Sequence, residues 1–239
     1  MSDAITVTDL MVRRGRTTVL KGLNCRAATG RVTGLLGPSG SGKTTLIRAI
    51  VGVQIVRSGT VTVLGEPAGA RSLRDKVGYV SQAPSVYQDL TVLENVRYFA
   101  AIAGADGETA RRAVDRVGLK DAAGQLVGNL SGGQRSRASL ACAIVGDPPV
   151  LVLDEPTVGQ DPVLREELWD FFRDRAQAGA TVLVSSHVMD EATRCDSLLL
   201  IREGALLADD TPAAIMSQAG TDDMDRAFLH LIREGAHSS

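Results

Sequence analysis

The chain is poor in aromatic residues, which make up 3% of its 239 residues against a hydrophobic share of 44%. Its core must therefore be built from small aliphatic side chains, which suit strands buried on both faces by helices. Cysteine is also scarce. Cys25, Cys142 and Cys195 are odd in number, scattered and without metal-ligand spacing, which excludes a disulfide framework and a zinc module. They read as reduced packing residues of a cytosolic protein. No charge of one sign dominates: 26 Lys and Arg against 28 Asp and Glu leave a net charge of −2, so nothing points to nucleic acid. No apolar run approaches the ~20 residues of a membrane helix; the longest are fragments such as "SLLLI" and "PPVLVL". The start, "MSDAITVTDLMVRRG", lacks a basic stretch followed by an apolar one, so no signal peptide is expected. Any service to a membrane then runs through a partner.

What is present is an alternation. Strand-like runs at "TVTVLG", "VGYVS", "VLVL", "TVLVSS" and "SLLLI" alternate with helix-like runs, which predicts an α/β domain with a parallel sheet wrapped by helices. Residues 1–84 and 145–220 read as that core. From Gln82 to Ile144 no strand pattern occurs, and residues 85–144 read as a helical insert. There, Thr91 and Glu94 form a capping box for a helix that Gly104 stops. Ala110, Val114 and Val117 share one face of a second helix, which ends at Gly118. Met224, Ala227, Phe228 and Leu231 fall at helical spacing, so residues 221–235 read as a terminal helix docked on the core, with a frayed tail at 236–239. All of 1–235 is read as one domain.

The segment "GPSGSGKTT" carries the first chemistry. It comprises Gly37, Pro38, Ser39, Gly40, Ser41, Gly42, Lys43, Thr44 and Thr45, after the strand "VTGLL" and before the helix-like "LIRAIV". A glycine-rich turn can aim successive backbone N–H groups into one concavity, and the helix after it adds its positive end. The pattern G-x-x-x-x-G-K-[ST] in that setting is a polyphosphate site. Lys43 would reach the terminal phosphates, and the Thr44 hydroxyl can ligate Mg²⁺.

A second apolar strand, Val150 to Leu153, delivers Asp154 and Glu155. Asp154 suits a hard cation through water, and Glu155 could polarise a water for attack on a γ-phosphate. The third element is "LSGGQ". Ser131 and Gln134 make a capping box, but the cap does not need Gly132 and Gly133, each about 1 kcal/mol worse than alanine in a helix. Small residues there permit close approach to the helix end, and we read a second phosphate site.

These elements together resemble the ATP-binding cassette (ABC) subunit of a transporter, over essentially the whole chain. "GPSGSGKTT" matches the Walker A loop, Gln82 in "YVSQAP" the Q-loop, "LSGGQ" the signature, "VLVLDEP" Walker B, Asp161 in "VGQDP" the D-loop, and His187 in "VSSHVMDEA" the switch histidine. The resemblance implies a P-loop NTPase (RecA-like) core with a parallel sheet, a small antiparallel β region at the N-terminus and an inserted α-helical subdomain. It implies ATP and Mg²⁺ as ligands, with Thr44, Gln82 and Asp154 about the metal. Lys43 would bind phosphate, Glu155 would be the general base, and His187 would contact the γ-phosphate. It further implies a second ABC subunit packed head to tail, whose Ser131, Gly132, Gly133 and Gln134 cap the nucleotide. Integral membrane permease subunits would hold the pair at the cytoplasmic face of the cell membrane.

Two positions depart from the family pattern. Arg14 stands where an aromatic usually stacks on adenine; its planar guanidinium can still stack. Gln160 stands where leucine is usual, an exchange expected to be neutral. Within the family, "QAPSVYQDLTVLENVRYFA" and the stretch from "SSHVMDEA" onward resemble exporters of drugs, antibiotics or lipid-like substrates. An importer subunit stays open as the alternative, as does, less favoured, a soluble ABC ATPase. The latter usually carries a coiled coil, a zinc module or two cassettes, none of which is legible here. Tyr87, Leu90, Val92 and Leu93 are more apolar than a solvated loop requires and are expected in part to face a partner.

Overall fold

The computed structural model describes residues 2–237, with side chains as far as Arg233. Ser238 and Ser239 of the expected tail lie outside the described residues. Two sheets carry the strands. In the first, four strands run in the order β2 (Thr17–Ala28), β1 (Asp3–Arg14), β4 (Ser58–Val63) and β5 (Glu66–Pro67), all antiparallel. In the second, six strands run β10 (Ala205–Asp210), β9 (Ser197–Arg202), β3 (Val32–Leu36), β8 (Thr181–Ser186), β7 (Val150–Asp154) and β6 (Val77–Val80). All neighbours there are parallel except β10, which closes the edge antiparallel to β9.

The helices are α1 (Lys43–Ile50), α2 (Val92–Ile102), α3 (Gly107–Arg116), α4 (Gly132–Ile144), α5 (Pro162–Gln177), α6 (Pro212–Gln218) and α7 (Met224–His237). The expected alternation is found with one correction. "TVTVLG" forms β4, but it pairs antiparallel with β1 and lies outside the parallel sheet. Only its alternate residues Val61 and Val63 are buried, as expected of a strand covered on one face. The terminal helix also differs: it runs through Ala236 and His237, past the expected boundary, because Gly235 does not end it.

The parallel strands are buried along their whole length at β3, β7 and β8, and alternate residues feed two cores. Along β7, Val150 and Val152 face a core shared with α1 and the antiparallel sheet, through Leu46, Ile47, Val7 and Leu10. Leu151 and Leu153 face the other way, toward Trp169 and Phe172 of α5 and Leu140 of α4. Strands β8 and β9 split in the same manner. This period of two leaves the carboxyl ends of β3, β7 and β8 side by side, with the loops after them at one edge.

Between β6 and β7 the chain makes α2, α3 and α4. The Thr91 capping box on α2 and the Ser131 capping box on α4 are both complete. Ala110, Val114 and Val117 are buried, and Gly104 and Gly118 come after their helices with positive φ. Of the apolar residues expected to face a partner, Val92 is instead fully buried and Leu93 packs on the same core. Helical spacing turns them inward. Tyr87 remains half exposed, edge-on to Tyr98 at 5.4 Å between ring centroids. No helix is long and apolar enough to cross a membrane among the described residues.

Candidate functional site

The glycine-rich loop leaves β3 and enters α1, as its pattern predicts. Gly37 has φ of +153°, and a Cβ there would stand 2.1 Å from the Ile201 carbonyl oxygen, so no side chain fits. Lys43 is the first residue of α1 and is buried. Its ammonium donates to the carbonyl oxygens of Gly37 at 2.7 Å and Pro38 at 3.2 Å. Burial pulls the Lys43 pKa down; the nearby carboxylates of Glu155 and Asp154 oppose that shift. A cation held in this way, with little water and with neutral carbonyl partners that an anion can replace, suits anionic oxygens.

Around it lies a cavity of about 450 Å³. Ser39, Gly40, Gly42, Lys43, Thr44 and Thr45 line it from the loop, Gln82 and Glu155 from the ends of β6 and β7, and Arg14 and Val19 from the β1–β2 hairpin. Gly37, Pro38 and Ser41 complete the loop behind it, with the Ser41 carbonyl accepting from Gly204 N–H at 2.9 Å. Thus residues far apart in sequence meet at the carboxyl edge of the parallel sheet.

The two acids at the end of β7 differ in their surroundings. Asp154 is buried, and its Oδ1 accepts from Ser185 Oγ at 2.6 Å. Its Oδ2 has no hydrogen-bond partner among the described residues. Glu155 takes a left-handed backbone, φ +55°, uncommon for a non-glycine. Its N–H donates to the same Ser185 Oγ at 3.0 Å. Its carboxylate meets Gln82 Nε2 on Oε2 and His187 Nδ1 on Oε1, each at 3.3 Å. His187 sits one residue beyond β8. One carboxylate therefore stands between the two other polar groups expected at a γ-phosphate.

The residues fit a hydrated Mg²⁺. A hard cation takes hydroxyl, amide and carboxylate oxygens with water completing the shell. Thr44, Gln82 and Asp154 offer that donor set, and Asp154 keeps one buried oxygen unpaired.

Ser131, Gly132, Gly133, Gln134 and Asp161 are not among the residues lining this cavity. They form a separate corner. Asp161 caps α5 through Leu164 N–H at 3.1 Å. Gln160 is buried, and its Nε2 reaches the Gly133 carbonyl oxygen at 3.5 Å. A Cβ on Gly132 would meet nothing within 4 Å. Within one chain, then, that glycine is not required.

Ser185 escaped the sequence reading, though it bonds to both acids. A signal for it exists: two serines, Ser185 and Ser186, end a buried strand, and β8 pairs Ser185 directly with Asp154. Cys25, Cys142 and Cys195 are free and buried, as expected.

The profile of the family described as ABC transporter matches residues 20–158. Over 214 residues the chain is 42% identical to the "Probable multidrug ABC transporter ATP-binding protein YbhF" of Escherichia coli, a match covering 87% of this chain and 36% of that protein. Over 218 residues it is 40% identical to the Nod factor export ATP-binding protein I of Burkholderia orbicola, covering 88% of this chain and 72% of that one. The chain thus spans about a third of the first relative's length. Among solved structures, an ATP-binding subunit of an ABC transporter superposes with a TM-score of 0.89 at 26% identity, covering 96% of this chain and 99% of that one. Loop, acids and fold agree with these matches: the chain belongs to the ABC transporter family.

Proposed function

We propose that the chain binds ATP with Mg²⁺ in the Lys43 cavity and hydrolyses it to ADP and phosphate to power a membrane transporter. One observation carries this reading: the Glu155 carboxylate lines the same cavity as Lys43 and touches both Gln82 and His187. In hydrolysis, a water attacks the γ-phosphorus as its proton passes to a Glu155 carboxylate oxygen, and the bond to the ADP oxygen breaks. Lys43 and the loop N–H groups stabilise the charge on the β- and γ-phosphates. His187 donates to the γ-phosphate and fixes its orientation. Thr44 and Gln82 would hold Mg²⁺, with Asp154 reaching it through water, and the ion would supply positive charge to offset that of the phosphates. The test is phosphate release by the purified chain. Lys43→Ala is expected to lose nucleotide binding, because the phosphate charge loses its pair, and chelation with EDTA is expected to stop turnover.

The open Gly132 supports a dimer. A helix start that keeps its capping box, keeps two glycines and leaves open space beside the first of them suits a phosphate brought by a second cassette. That second cassette is read as an identical chain. The names of the relatives, a multidrug transporter and a Nod factor export ATP-binding protein, support an exporter. Its substrates are read as drugs, antibiotics or lipid-like molecules, and its partners as integral permease subunits at the cytoplasmic face of the membrane, with no nucleic acid.

A groove of about 340 Å³ between α2, α4 and β6, lined by Tyr79, Phe99, Ile102 and Ala143 with Arg74 and Asp75 also on its wall, offers a permease helix a largely apolar seat. The exposed Tyr87 joins it through Tyr98 and Phe99, whose rings pack edge to edge in turn. Charged substitutions at Tyr87 and Leu90 are expected to uncouple transport while leaving basal hydrolysis nearly intact. Normal transport by such variants removes this segment from the interface.

A further inference from the structure

His187 has little packing of its own. Its side chain is 43% exposed, and it meets Glu155 at the end of a strand. Support comes from the next segment of chain, a 3₁₀ turn at Met189–Arg194, with Met189 and Ala192 buried in the core. That turn is tied to α5 at two points. Arg194 makes a bidentate pair with Glu166, Nη1 lying 2.7 Å from Oε2 while Nη2 meets Oε1. Trp169, fully buried, points its indole N–H at Glu191 Oε1 at 3.5 Å. The tie points are three residues apart on both elements, so one face of α5 is laced to the turn. Hydrogen bonds to a neighbouring guanidinium pull the Glu166 pKa down, which keeps the pair ionised.

The other end of α5 begins at Asp161, next to Gln160 and its contact with Gly133. A path of contacts thus runs from the signature helix through α5 to the turn behind His187.

We propose that Glu166 and Arg194 are positioning residues for hydrolysis, whose pair sets through the 3₁₀ turn where the His187 imidazole stands relative to Glu155. An exposed ion pair ordinarily does little for stability. A fork of two parallel N–H···O bonds, however, fixes distance and angle, and a geometric effect on a reacting group far exceeds its effect on folding. The inference rests on the ATPase reading above.

The experiment uses the full chain, with steady-state ATP hydrolysis and thermal unfolding measured for Glu166→Ala, Arg194→Ala and the exchanged pair Glu166→Arg/Arg194→Glu. Each single variant is expected to lower kcat roughly tenfold, with KM and Tm close to wild type. The exchanged pair is expected to recover most of the lost kcat. Wild-type kcat in the single variants overturns the proposal, as does a loss that tracks Tm or KM. An exchanged pair no better than the singles also overturns it, because the charges would then act elsewhere. A wild-type chain that does not hydrolyse ATP fails the underlying reading, and the proposal with it; a wild-type chain that hydrolyses while the variants match it fails the proposal alone.

Discussion

Ser185 Oγ donates to Asp154 Oδ1 at 2.6 Å and accepts the N–H of Glu155 at 3.0 Å, so one hydroxyl holds both acids that end β7. The Glu155 backbone is left-handed, which costs about 1 kcal/mol or more unless its surroundings hold it. Ser185→Ala removes that hold and leaves Asp154 with neither oxygen paired. A loss of about 1–3 kcal/mol is expected in urea unfolding, together with slower hydrolysis. Unchanged stability and turnover would mean that water replaces the hydroxyl at no cost.

Glu155→Gln keeps the shape of the side chain and an oxygen for Gln82 while removing the base. ATP binding is expected to persist while turnover falls by roughly 10²–10⁴-fold. ATP then accumulates a dimer, visible as an earlier elution in size exclusion. Wild-type turnover in this variant would refute the role of Glu155.

Gly132→Val tests the second cassette. Because a Cβ at Gly132 meets nothing within 4 Å, the variant is expected to fold with its thermal midpoint unchanged or slightly raised. Binding of ATP to the isolated chain is expected to survive. The ATP-dependent dimer of the Glu155→Gln background is expected to disappear, and its persistence would show that nothing approaches this helix start.

Arg14 shares the cavity with the phosphate loop but comes from the β1–β2 hairpin. If aromatic stacking on the base is the missing contribution, Arg14→Tyr is expected to tighten ATP by about 0.5–1 kcal/mol. Equal affinities by titration calorimetry would show that the guanidinium already stacks or that the base lies elsewhere.

Burial pushes the thiols of Cys25, Cys142 and Cys195 up to about 12. A raised thiol pKa keeps the group protonated at pH 8, so the thiolate fraction falls on the order of a thousandfold below that of a free cysteine. Native protein is expected to resist Ellman's reagent and to react fully in guanidinium. Rapid labelling of any of the three in the native state would count against its burial.

Legibility tracked the range of the interaction. The Thr91–Glu94 and Ser131–Gln134 boxes, the turn at Gly37 and the strand before Asp154 each lie within a few residues of chain, where steric and hydrogen-bond preferences act without tertiary help. The burial of Ala110, Val114 and Val117 was legible for the same reason. The direction of β4 was not, because an apolar alternation names a strand without naming its neighbours. Nor was the end of α7, where Gly235 carries the helix on instead of stopping it.

By itself, then, the sequence determined which residues could bind phosphate, hold a cation or accept a proton, since those capacities belong to side-chain chemistry at short spacing. Only the tertiary structure decided which of them meet. Parallel strands bring Asp154 beside Ser185 and Glu155 between Gln82 and His187, and the antiparallel β1–β2 hairpin brings Arg14 to the cavity of Lys43. The same packing keeps Ser131 to Gln134 out of that cavity and sets Gln160 against Gly133 instead. The reason is physical: contacts across a sheet depend on strand order and register, which arise when alternate faces are buried together, and no short stretch of chain encodes them alone.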